Sequence, residues 1–172
     1  MYASTSEIVR KANHIVRQCG TRDPHKIADE LGIEILYCPF KAQRGAYKVI
    51  MRNRFMFVKE DLHPVMKNIV LLHELGHDSL HRDEATKAGG FKEFNIFDIR
   101  DSRMEYEANI FASQIAIPDD DFLELAEQGC DVQQIARTMR SDVNLVALKA
   151  DTLISQGYRL RPQEHRNDFL KY

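Results

Sequence analysis

Apolar residues at helical spacing open the chain. Ile8, Ala12, Ile15 and Val16 share one face of residues 7–18, and Gly20 stands where such a helix stops. A short second helix follows, with Asp23 at its N-cap, Pro24 in its first turn and Gly32 at its end. The period then changes. Segments 33–38, 46–51 and 55–58 are rich in β-branched and aromatic residues, and the last two flank the polar turn 52–54, which predicts a sheet of about three strands. From 64 to 81 the pattern is helical again, but Val70 and Leu80 lie near one face while Leu71 and Leu75 lie opposite. A helix apolar on several sides is buried and central.

The stretch 82–102, with Gly89, Gly90 and scattered aromatics, reads as a long loop. Helix returns over 103–117 and stops at Pro118. Further helices are expected at 120–128, 132–139 and 143–155, and the charged, unpatterned 158–172 predicts a loose tail. The expected architecture is α+β: a core over 1–120, a helical subdomain over 121–157 and a tail over 158–172.

Composition narrows the classes. A chain of 172 residues with 44% hydrophobic and 29% charged residues can build a core without disulfides. Its three cysteines, Cys19, Cys38 and Cys130, are far apart, form no CxxC pair and sit in no nucleophile context, so a reducing compartment is the simpler reading. Residues 1–17 lack the apolar core of a secretion signal, and runs such as 69–72 are too short to span a bilayer. A formal net charge of −2 offers no footprint for DNA or an anionic membrane. A soluble cytoplasmic protein is expected.

The chemistry is concentrated in the central helix, where His73-Glu74-Leu75-Gly76-His77 is an HExxH motif. Residues i and i+4 project from one face a turn apart, so two imidazoles converge on one zinc ion. Glu74 lies about 100° round the helix from His73, beside the ion and not on it, where a carboxylate takes a proton from an activated water. Two surface histidines on an ordinary helix are the plain alternative. Against it stands the apolar flank, because burying two imidazoles and a carboxylate without partners costs several kcal/mol.

Catalytic zinc sites generally use three protein ligands. His81 lies about 12 Å along the axis from His73 at roughly 1.5 Å per residue, too far to share the ion unless the helix breaks. It is assigned a supporting role behind the ligands or at the helix end. In the next helix Glu105 shares a small-residue face with Ala108, Asn109, Ala112 and Ala116. That face would let the two helices approach closely over Gly76. Glu107 points the other way, towards Arg103 and Gln114, where it is expected to be solvated. Glu105 is therefore the expected third ligand, and Asn109 the acceptor that orients a ligand histidine.

HELGH over 73–77 continued by DSLH to His81, with EYEANIFA over 105–112 ahead of Pro118, resembles the ImmA/IrrE family of metallopeptidases. The likeness spans about 5–120. It implies a zincin-like fold of the gluzincin type, a zinc cofactor and an endopeptidase that cleaves a helix-turn-helix repressor of a mobile element or prophage. Such an anti-repressor would act on a protein partner, with no direct nucleic acid and no membrane.

Alternatives remain open at this level. The oxyanion donor could be His81, Tyr47 or Tyr106. Segment 55–58 is either core or a cleft edge that pairs with an extended substrate. The loop 82–102 is either a packed connector or a cleft wall with Phe91, Phe94 and Phe97 as anchors. Segment 133–153 can be read as a helix-turn-helix, although the turn at Arg140-Ser141-Asp142 lacks glycine and Lys149 faces Asp142 and Asp151 in charge. A non-catalytic zinc protein that binds a repressor or DNA is the rival function.

Overall fold

A computed structural model describes residues 3–87 and 99–160. The elements run α1 (Thr5–Cys19), α2 (Pro24–Glu30), β1 (Ile33–Cys38), β2 (Gly45–Ile50), β3 (Asn53–Lys59), α3 (Pro64–Lys87), α4 (Ile99–Ala116), α5 (Asp119–Glu127), α6 (Val132–Thr138) and α7 (Val143–Ser155). The α+β class and the central HExxH helix are as expected. Ser4 and Glu7 form a reciprocal capping box that starts α1, whose Ile8, Val9, Ala12 and Ile15 face the core. Among the described residues no helix is long and apolar enough to cross a membrane.

The sheet order is β1-β3-β2, with β3 parallel to β1 and antiparallel to β2. This corrects the reading of 55–58 as a cleft edge: β3 is bonded on both sides and has no edge to offer. The hairpin also turns earlier than expected. Met51 and Arg52 both take positive φ, 49° and 67°, in a two-residue connection. Such turns favour Asn or Gly, so a Met-Arg pair carries little signal in the sequence.

Helix α3 runs past His81 to Lys87, although His81 itself leaves helical geometry at φ −127° and ψ 18°. Together with α4 starting at Ile99, this makes much of the expected loop 82–102 helical. Residues 82–87 are polar apart from Ala85, so no apolar stripe marked them. Phe91, Phe94, Phe97 and most of the tail lie outside the described residues.

Helix α4 packs against α3, α1 and α7. A buried polar knot ties its far end to the C-terminal helices. Lys149 of α7 is 0% exposed, and its ammonium donates to Gln114 Oε1 at 2.5 Å and to Asp119 Oδ1. Gln114 in turn donates to Asn13 of α1 at 3.0 Å, while Arg22 donates to the carbonyls of Gln114 and Ile115 at 3.0 and 2.9 Å. Burial pulls the Lys149 pKa down, opposed by Asp119. Asp119→Ala strands that ammonium and is expected to cost about 2–3 kcal/mol, less than the ~3–5 of a fully enclosed pair because Asp119 keeps some solvent contact. Denaturant unfolding measures it, with Lys149→Met, which removes the charge and keeps the volume, expected to cost less.

Candidate metal centre

Helix α3 places His73 and His77 one turn apart, and α4 brings Glu105 to them. The close approach depends on Gly76. A β-carbon there would lie 2.9 Å from Ala108 Cα and 3.1 Å from its carbonyl oxygen. The small-residue contact expected between the two helices is present. Gly76→Ala must push backbone against backbone, so it is expected to destabilise the fold by about 1–3 kcal/mol and loosen Glu105 from the histidines. Thermal unfolding with and without added zinc separates the two effects.

The donor atoms form a triangle. His73 Nε2 is 3.1 Å from His77 Nε2 and 3.1 Å from Glu105 Oε2, and His77 Nε2 is 3.2 Å from Glu105 Oε1. Zinc–ligand lengths of about 2.0–2.2 Å in a tetrahedral site put donors roughly 3.3 Å apart, so the triangle fits such an ion. All three donors lie within 4.8 Å of one another, and they are the group able to hold a metal among the described residues.

Electrostatics agree with a cation site. Burial pushes the Glu105 carboxyl up, but His77 and His73, by charge and hydrogen bond, outweigh it and hold the group well below the usual carboxylate range. Burial pulls His73 down, yet Glu105 lifts it to about 9. Both shifts come from one carboxylate facing two imidazoles, an anionic group among neutral donors of the kind that holds a cation.

The ring nitrogens facing away from the triangle have partners. His73 Nδ1 donates to Asn109 Oδ1 at 2.9 Å, leaving the Nε2 lone pair for a metal. His77 Nδ1 meets His81 Nδ1 at 3.1 Å, and His81 Nε2 meets Glu107 Oε2 at 3.2 Å. The helix does break at His81, as ligation from that position would require, but the imidazole is turned to Glu107 instead. Burial, with the His77 charge, lowers the His81 pKa to about 4, so it stays neutral.

Glu107 departs from expectation. It is 2% exposed, not solvated, and its other oxygen accepts from Arg103 Nε at 2.9 Å. Glu105, Glu107 and Asn109 therefore all serve the α3 histidines. Helical spacing within α4 points Glu107 away from Glu105, and the departure of His81 from helical geometry is what brings an imidazole to it.

Glu74 is 5% exposed and outside the triangle. Burial raises its pKa, with Glu105 adding and the two histidines opposing. Tyr47 does not offer its proton to an oxyanion, since its hydroxyl donates to Asp78 Oδ1 at 2.7 Å. Asp78 is missed by motif reading. It is 1% exposed and also accepts from Arg54 at 3.1 Å and Arg82 at 2.7 Å. Tyr106 has its pKa raised by burial and then by Asp151 of α7.

Comparison with known proteins agrees with this geometry. The chain is 29% identical over 108 residues to the uncharacterized immunity region protein 2 of Bacillus phage phi105, a match covering 61% of this chain and 65% of that protein. It thus spans somewhat less than two thirds of the relative's length. The model of the IrrE N-terminal-like domain matches residues 28–150, taking in the HExxH helix, the Glu105 helix and most of α7. The resemblance carried by the two motifs holds, and the chain belongs to the IrrE N-terminal-like domain family, Peptidase_M78.

Proposed function

We propose that this protein is a cytoplasmic zinc endopeptidase that cuts a helix-turn-helix repressor of a mobile element or prophage. The observation that carries the reading is a buried carboxylate, Glu74, beside the His73–His77–Glu105 triangle. Zinc at the triangle would supply the Lewis acidity that acidifies a water and polarises a peptide carbonyl. His73 and His77 present their Nε2 atoms because Asn109 and His81 hold the opposite nitrogens. Glu74 takes a proton from the attacking water and later delivers it to the leaving amine.

Strand β2 supports the peptide-binding part. Lys59 N donates to Arg44 O at 2.8 Å, which puts Ala46, Lys48 and Ile50 in the pairs bonded to β3. The amides of Gly45, Tyr47 and Val49 then point to the outer edge, beginning beside Glu74. An extended substrate segment pairs there by strand addition. Specificity adds docking of a folded partner, because the zinc chemistry treats most peptide bonds alike.

The repressor is favoured by the relative's description as a phage immunity region protein. A protein partner, not DNA, is favoured by α7, whose Leu145 to Ala150, Thr152 and Leu153 are buried. A helix that reads a groove needs an exposed face.

Zinc-loaded protein incubated with the helix-turn-helix repressor encoded nearest to it is expected to give discrete fragments, stopped by a chelator. Cutting of casein alongside an untouched repressor would overturn the substrate assignment. Tight repressor binding without fragments would overturn the peptidase and favour the non-catalytic regulator.

A further inference from the structure

The geometry points to Gly45 as a positioning residue for Glu74, held in place by the Tyr47–Asp78 hydrogen bond; this deepens the peptidase reading and rests on Glu74 being its base. Gly45 lies in β2 without a left-handed φ, so its backbone is one that any residue adopts. The demand for glycine comes from space. A β-carbon at 45 would stand 2.5 Å from Glu74 Oε1, 3.3 Å from Glu74 Cδ and 2.5 Å from Val70 Cγ1. The carboxylate occupies the volume of the missing side chain.

Strand and helix run in step. Gly45 and Tyr47 are two residues apart on β2, about 6.7 Å, and Glu74 and Asp78 are four apart on α3, about 6 Å. Gly45 faces Glu74 and Tyr47 faces Asp78. The second contact is a lock: Asp78 gathers the Tyr47 hydroxyl from β2, Arg54 from β3 and Arg82 from α3 itself. It fixes the height of the edge strand over the helix one turn beyond the base. Gly45 then forms a wall that bounds the Glu74 carboxylate on the sheet side, so the carboxylate cannot swing away from the triangle into a gap.

The two clashes of an added β-carbon differ in kind. Val70 is β-branched and stiff, so meeting it strains the fold. The Glu74 carboxylate is the far end of a flexible chain and would simply move, at little cost in stability but out of line for proton transfer. Gly45→Ala with Val70→Ala removes the first clash and keeps the second.

The test compares wild type, Val70→Ala, Gly45→Ala/Val70→Ala and Tyr47→Phe, each loaded with cobalt(II) in place of zinc. Metal content, visible absorption bands and, on the repressor cut by wild type, kcat and KM are measured. The double variant is expected to hold full cobalt and shift its bands from those of Val70→Ala. Its kcat should fall about 10–100-fold with KM little changed, the scale of a misplacement near 1 Å. Tyr47→Phe should move kcat the same way by less. Bands or kcat unchanged from Val70→Ala, or loss of cobalt in the double variant, overturns the proposal. The cobalt spectrum needs no substrate, so it still reads the positioning of Glu74 if wild type cuts nothing, the outcome that would sink the peptidase reading instead.

Discussion

Glu74→Gln loses at least about 100-fold in cleavage rate and keeps its metal, the expected result if Glu74 is a base and not a ligand. Glutamine preserves the shape that fits against Gly45 and Val70 and removes only the basic oxygen. Burial keeps the Glu74 carboxyl above its ordinary pKa, which strengthens it as a proton acceptor. The triangle of His73, His77 and Glu105 does not include it, so metal content should match wild type. Mass spectrometry of the intact holoprotein and a repressor cleavage time course read the two halves separately. A metal-free variant, or one at full activity, would remove Glu74 from the role of base.

Removing a corner of the triangle should have the larger effect on metal. His73→Ala, His77→Ala and Glu105→Ala are each expected to lose stoichiometric zinc, because two donors do not make a closed site. His81→Ala and Glu107→Ala should remain loadable. Their affinity is expected to fall by about 10–100-fold, since they act through His77 Nδ1. Thermal unfolding provides a second reading. A ligand at 1,000 times its Kd stabilises by about 4 kcal/mol, so zinc should raise the midpoint of wild type and leave the three ligand variants unmoved. Glu107→Ala carries an added stability loss without metal, because its carboxylate is the buried partner of His81 and Arg103. A metal-replete Glu105→Ala beside a metal-free Glu107→Ala would exchange the two glutamates.

Elements with strong local signals were legible before any fold was known. Helix α1 carries its apolar face in Ile8, Ala12 and Ile15 and its stop in Gly20. The C-terminal helices α6 and α7 lie within a residue of the expected 132–139 and 143–155. The polar extension of α3 to Lys87 carries no such signal, so pattern alone does not show it as helix. The Met51-Arg52 turn lies a residue or two before the polar segment 52–54, since neither residue advertises positive φ.

By itself the sequence determined the site's local chemistry. His73 and His77 converge because four residues make about one helical turn, and Glu105 with Asn109 repeats that spacing on the next helix. Gly76 and Ala108 marked where the two helices would touch, because only small residues permit such an approach. Tertiary structure alone decided the rest. That β3 is central and β2 an edge strand among the described residues depends on β1 returning parallel to β3, a long-range pairing with no local signature. That Glu107 is buried depends on His81 leaving helical geometry towards it. The place of Gly45 against Glu74 depends on the sheet lying in step with α3, locked by Asp78. Helical spacing is set by backbone geometry within one turn, whereas strand order, burial and the fit of one element on another are set by contacts between residues far apart in the chain.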